Sequence, residues 1–413
     1  VTNPTIVAQH VTDVATTWWR RRREPADVRL RFGQLVDIDS AIDAHLDGLY
    51  EAGDAAMALA NAAYDKAAGR RFFDVGADAF VVLSIAFLDD ERKAMDDAIA
   101  SLAGKPGFCE AVHGVLGWFD SATVASLIAE KVRSPEGDLR RAALAHAHLH
   151  STIADDALLA GTASPGAAEF DAIAHCGRVG LLPGVANFLD TAAPEDPAFF
   201  SAARCALLLD EREMSIPSLR SYAASEGAHA SEAVKLLCLA LSGSQLQEHV
   251  ARLTHYPHSR ALPIQAAGWS GDPAHIPWLL AQLDDSAEAR LAGEAIRLIT
   301  GLDLDANKMV REEPRPGAGS APPYPLPDRA RLTAWWDANG QFYPGGVRYL
   351  LGRPVSDSWL VHILSTGEQA HRALAALHRV LSHPGEPAFP LRASAAIQLR
   401  RLERLRGGDD DRC

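Results

Sequence analysis

Apolar residues recur along this chain at the spacing of helix faces and almost never in the strict alternation of strands. Ile38, Ile42, Leu46 and Leu49 fall on one stripe of a helix. Three helices are predicted in the first segment: Thr5 to Arg21, a second capped by Asp39 and running through Leu49, and a third from Gly53 to Ala68. From Phe72 onward short helices alternate with turns. The turn signals are Gly117-Trp118-Phe119-Asp120, Gly177-Arg178-Val179-Gly180, Ser242-Gly243 and Ser270-Gly271-Asp272-Pro273. Glycine closes a helix in the left-handed conformation, Asp caps the next one, and Pro fits its first turn. The intervals are about 30 residues or multiples of it, the length of one helix–turn–helix unit.

One repeat can be laid over another. Gly271 to Ala292 and Gly352 to Leu374 place Trp278 with Trp359 and Leu283 with Leu364. After a slip of one residue, Arg290 matches Arg372 and Arg297 matches Arg379. Arg followed by small residues recurs in first helices, as in Arg141-Ala142-Ala143 and Arg204-Cys205-Ala206. Small residues let helices approach, and the arginine can reach a loop carboxylate such as Asp284 or Asp285. The expected fold is all-α: a solenoid of helix pairs, which grows in one dimension and usually binds rather than catalyses. Residues 1–70 form an N-terminal helical cap and 71–302 the repeat array. Residues 303–350 form an insertion with Pro314, Pro316, Pro322, Pro323, Pro325 and Pro327. Residues 351–406 resume the repeats, with helices near 356–366, 368–382 and 390–405, and 407–413 form a frayed tail.

Composition narrows the partners. The net charge is −13 and the one dense basic run is Arg20 to Arg23, whereas a phosphate-binding surface needs a basic stripe, so nucleic-acid binding is not expected. No apolar leader or run of about 18 residues is present, so membrane insertion is not expected and a cytoplasmic protein is. Cys109, Cys176, Cys205, Cys238 and Cys413 form no CxxC pair and read as reduced thiols; Cys205 and Cys238, each in an Ala/Leu-rich helix, read as buried apolar filler.

The units resemble HEAT-like repeats of the short type. Ile6-Val7-Ala8-Gln9-His10 and Ala44 to Leu49 are similar to the opening of an uncharacterised bacterial family of HEAT-like proteins often encoded near type VI secretion genes. Thr300 to Leu304, Ala334-Trp335-Trp336 and Gly346 to Gly352 carry the same resemblance. It implies a bacterial accessory or adaptor protein that handles effectors or spike components, with no catalytic residues to transfer. An immunity protein that neutralises a toxin is the alternative. A HEAT-like enzyme of lyase or DNA-glycosylase type is the less favoured one, so a non-enzyme without cofactor is expected.

Candidate chemistry is sparse. His146, His148 and His150 alternate; on a helix His146 and His150 would share a face at two-histidine metal spacing. A third ligand is not evident, so a hydrogen-bonded or solvated helix end is expected and no metal is assigned. His45 and Asp47 point to different helix faces and form no dyad. Gly-x-Ser-x-Gly and the phosphate-cradling glycine motifs are absent. Two clusters of aromatic and arginine residues are the candidate contacts for a protein partner, because such residues dominate binding hot spots. One is Trp18, Trp19, Arg20 and Arg21. The other is Trp335, Trp336, Phe342, Tyr343, Arg348 and Tyr349 in the insertion.

Overall fold

The computed structural model describes residues 3–23, 29–69, 74–134, 137–150, 153–159, 165–254, 259–284, 286–311 and 324–410. The chain is all-α, with 73% of the described residues helical. Among the described residues the strands are one antiparallel pair, Tyr349–Leu350 with Arg353–Pro354. The chain divides into two compact units, residues 1–205 with 363–413 and residues 206–362.

The first unit opens with α1 (Pro4–Arg23), α2 (Phe32–Ala52) and α3 (Asp54–Ala68). The second helix starts seven positions before the expected cap. Its inward stripe is Phe32, Leu35, Asp39, Ile42, Leu46 and Leu49, at spacings of three and four. Asp39 is therefore a core position occupied by a carboxylate, not a cap, and Ile38 sits beside the stripe rather than on it. Next come α4 (Val75–Leu88), α5 (Arg92–Leu102), α6 (Phe108–Leu116) and α7 (Ala122–Lys131). α4 is apolar all round, which suits only a central helix; Gly76–Ala77 and Ala79–Phe87 are buried, and it packs on α1, α2, α3, α5 and α6.

The unit continues through α8 (Gly137–His146), α9 (Asp155–Leu159), α10 (Ala167–His175), α11 (Leu182–Thr191) and α12 (Phe199–Leu208), whose last residues enter the second unit. Alternate helices are neighbours: α4 meets α6, α6 meets α8, and α8 meets α10, while α5 lies against α7. That every-second-helix contact is what stacked helix pairs produce.

The second unit holds α13 (Ser215–Ala223), α14 (Ala230–Ala240), α15 (Gly243–Thr254), α16 (Ala261–Ser270), α17 (Ile276–Ala281), α18 (Ser286–Thr300), α19 (Arg329–Asn339) and most of α20 (Asp357–Thr366). Here α14, α16 and α18 are successive neighbours. Small residues permit the approach: a Cβ on Gly268 would stand 2.9 Å from the Cβ of Ala295. The turn after α16 follows the expected chemistry. Gly271 is left-handed at φ 65°, Asp272 accepts a hydrogen bond from the Ala274 amide, and Pro273 follows.

Pro314, Pro316, Pro322 and Pro323 lie outside the described residues, but both flanks of that stretch are held. The Arg311 amide donates to the Leu326 carbonyl and the Asp328 amide to the Met309 carbonyl. After α19 the chain docks on the ends of α16 and α18. The amide of Tyr349 donates to Gly271, that of Leu351 to Leu298, and that of Gly352 to Ile299.

The C-terminal helices α21 (Gln369–Ser382) and α22 (Ala395–Asp410) belong to the first unit. Backbone bonds join Phe32 to Gly367, Gln369 to Leu30, Ala388 to His175 and Ser394 to Gly117. Residues 351–406, expected as resumed repeats, fall across the two compact units, which divide the chain between 362 and 363. α22 starts five residues after the expected 390 and extends to Asp410, and 411–413 lie outside the described residues.

Candidate functional site

The arginine cluster at the end of α1 is built into the fold. Trp18 is 2% exposed and stacks on Phe80 with centroids 4.3 Å apart. Arg21, also buried, donates from Nε and Nη2 to the two carboxylate oxygens of Asp39 at 3.0 and 3.3 Å. Its remaining donors go to the carbonyls of Arg392 at 2.9 Å and Ala393 at 2.7 Å. Burial removes Trp18 and Arg21 from the set available to a partner. Trp19 is half-buried under the Arg23 guanidinium, 4.3 Å from the ring centroid, and Arg20 is exposed.

Among the described residues Arg372 is the largest fully buried side chain. It donates to the Leu364 carbonyl and to the side-chain oxygens of Gln369 and Gln398, and lies 4.0 Å over the Phe32 ring. Burial, and then the nearby Arg21 charge, push it down to about 9. Arg290, its match in the sequence repeat, is only half-buried and donates to the Tyr324 carbonyl at 2.6 Å. Asp284 pairs with Arg329.

The histidine cluster does not form a helical face. α8 ends at His146, a 3-10 turn follows from Ala147 to Leu149, and His150 is extended. The rings take separate partners. His146 meets His113 with centroids 5.6 Å apart, His148 meets His175 at 5.7 Å, and His150 Nδ1 lies 3.8 Å from the Asp120 carboxylate. His146 and His150 are buried rather than solvated. Burial pushes His148 down to about 3 and His175 to about 4, and lowers His113, His146 and His150 as well. No group of three or more His, Cys, Asp or Glu among the described residues is placed to hold a metal ion. Burial likewise pushes the thiols of Cys176 to about 11 and of Cys205 and Cys238 to about 12, which keeps them protonated and unreactive.

The second aromatic cluster stays partly open. α19 carries three faces. Leu332 points into the core, Trp335 and Trp336 are half-buried, and Ala330, Thr333, Ala334 and Asp337 line an open groove of about 570 Å³ with Arg311, Asp328 and Arg329. The Trp336 and Tyr343 centroids are 5.8 Å apart, and Tyr343 and Tyr349 are 5.4 Å apart. Tyr343 donates its hydroxyl to the Thr300 carbonyl at 2.9 Å, and burial raises its phenol. Phe342, the residue before Tyr343, has 67% of its surface exposed.

Two members of this cluster serve the scaffold. Tyr349 is buried at 6%. Arg348 donates to the carbonyls of Leu239 at 2.6 Å and Leu241 at 2.5 Å, closing the end of α14, and its burial lowers its pKa. Sequence reasoning placed Arg348 with the contact residues because the α14 carbonyls, more than a hundred positions away, are invisible in one dimension. The members of this cluster that keep accessible surface without closing a helix end are Trp335, Trp336, Phe342 and Tyr343. No helix among the described residues is long and apolar enough to cross a membrane. Comparison of the chain with protein-family models, curated proteins and solved structures returns no match.

Proposed function

We propose that the protein is a non-enzymatic protein-interaction scaffold that binds a protein partner through Trp335, Trp336, Phe342 and Tyr343. The observation that carries this reading is Phe342, 67% exposed and next in the chain to Tyr343, whose half-buried ring packs on Trp336. Rings already held by neighbours lose little freedom on binding, so their burial converts efficiently into affinity. Tyr and Trp beside an exposed Phe form the kind of anchor that dominates interfaces. The flanking groove, with Arg311, Arg329, Asp328 and Asp337, offers charges of both signs as a polar rim. The resemblance to HEAT-like proteins encoded near type VI secretion genes supplies the partner class, a secreted effector or a spike-associated component. The role is then that of a cytoplasmic adaptor.

The test is affinity purification from the native host with the unaltered protein and with Trp336→Ala and Phe342→Ala. A hot-spot anchor costs about 2 kcal/mol or more, roughly a thirtyfold loss of affinity. Recovery of one partner by the unaltered protein and its loss with both variants is the expected result. Equal recovery by all three proteins would overturn the assignment.

A further inference from the structure

The loop 383–394 joins α21 to α22 and straps the ends of α6 and α10. The Ala388 amide donates to the His175 carbonyl at 2.7 Å and the Ser394 amide to the Gly117 carbonyl at 2.8 Å. The Ser394 hydroxyl donates to the Trp118 carbonyl at 3.1 Å. Gly177 lets the strap come close: a Cβ there would stand 2.6 Å from the Gly385 carbonyl. Pro384, Pro387 and Pro390 have no N–H, so few backbone bonds are available to hold the loop. His148 and His175 lie beside this contact with ring centroids 5.7 Å apart. His148 Nδ1 is buried with no hydrogen-bond partner among the described residues, so a proton there would have no acceptor.

The full charges that face the pair are cations. Arg401 of α22 faces His148, and Arg392 of the strap faces His175. Arg204 Nη2 lies 3.5 Å from His175 Nε2, a contact that suits a neutral ring nitrogen and not a protonated one. Carboxylates on the surrounding elements are already paired: Asp171 with Arg204, Asp138 with Arg141, Glu386 with Arg379, and Asp120, which also faces His150, with Arg400. His113, His146 and His150 complete the row of rings, and Glu110 faces His113. We propose that the strap 383–394 is an acid-released latch. Protonation of His148 and His175 sets like charges against Arg392, Arg401 and Arg204, and frees the loop while the helices stay folded. With the strap closed, burial holds His148 at about 3 and His175 at about 4. With it open, water returns the rings towards the ordinary 6.5. The open state therefore takes up protons first, and below 6.5 its population grows about tenfold per ring for each pH unit. At pH 5 that is roughly thirtyfold per ring.

The test is hydrogen–deuterium exchange of the full chain at pH 7.5 and 5.0, corrected for the intrinsic pH dependence of exchange. The Ala388 and Ser394 amides should exchange at least about thirtyfold faster at the lower pH. They should also exchange ahead of the amides of α4, the central helix of the same unit, and respond little to low urea, because a local opening exposes little surface. In the double variant His148→Gln with His175→Gln, the ratio of strap exchange at the two pH values should fall to within about threefold. That ratio is read inside one protein, so a loosened variant still reports it, and far-UV circular dichroism checks that the helices remain. Strap amides that exchange together with α4 and with the same urea dependence mean global unfolding and overturn the proposal. So does a strap that ignores acid, or one whose acid response persists in the double variant.

Discussion

Arg21 and Asp39 form a buried, two-pronged ion pair, and both hold the same distant stretch of backbone. Arg21 donates to the carbonyls of Arg392 and Ala393, and the second oxygen of Asp39 accepts from the Ala395 amide at 2.7 Å. A pair of this kind is costly to desolvate and gains by satisfying backbone groups that would otherwise be buried without partners. It closes the first unit by fixing where α22 begins.

Removing one member leaves a buried charge alone, so Asp39→Ala should destabilise the protein by about 3–5 kcal/mol in urea denaturation. The double variant Arg21→Met with Asp39→Leu should recover part of that loss but not all. The Ala395 amide and two carbonyls stay orphaned, each costing about 1–3 kcal/mol. Full recovery would show that the backbone bonds contribute nothing.

Arg348 and Phe342 should separate scaffold from contact surface. Arg348→Met removes charged donors from the Leu239 and Leu241 carbonyls, worth about 1.5–3 kcal/mol each. Phe342→Ala, at an exposed position, should change stability by no more than about 0.5 kcal/mol. Thermal melts of both variants decide this, and a destabilised Phe342→Ala would place that ring in the core.

Gly271→Ala should loosen the docking of 348–352 on α16 and α18. The residue is left-handed, and a Cβ there would stand 2.3 Å from the Tyr349 carbonyl oxygen. The conformational penalty alone is about 1–2 kcal/mol, and the clash adds to it. Gly184→Ala is the control. It lies in α11 with nothing within 4 Å of its Cβ, so the same change should stabilise by about 0.5–1 kcal/mol. Comparing the two variants by denaturant midpoint tests the assignment.

Stability should fall as the pH drops from about 7 towards 4. The unfolded chain takes up protons at the ordinary histidine value of 6.5, whereas folded His175 and His249 wait until about 4 and His148 until about 3. Each lowered histidine therefore contributes stability that is complete above 6.5 and is lost below it, roughly 2 kcal/mol apiece by about pH 5. Asp78, pushed up to about 6 by burial, opposes this, since its proton binds the folded state first. Urea midpoints across this range should decline, and His148→Gln should flatten the decline. A flat profile in the unaltered protein would contradict burial of these rings.

The amphipathic spacing of α1 to α3, the Gly271-Asp272-Pro273 turn and the helix-pair periodicity were legible because each depends on residues within one or two turns. Asp39 shows where such reasoning stopped. It occupies a core position of the Phe32–Leu49 stripe, a register that could have marked it, yet an acidic residue before an apolar run reads locally as a cap. Its burial makes sense only with Arg21 beside it. His146 and His150 failed differently, because the helix was assumed to continue through residues where it tightens and ends.

By itself, the sequence determined an all-α chain of short helices with aromatic rings gathered after residue 330. Helix propensity, capping and 3.6-residue periodicity are local properties. Tertiary structure alone decided which arginines are buried, that residues 363–413 join the first unit, and which rings stay exposed. It also decided that His148 meets His175. Those outcomes depend on contacts between residues tens to hundreds of positions apart, where a buried charge or imidazole is tolerated only if the fold brings it a partner.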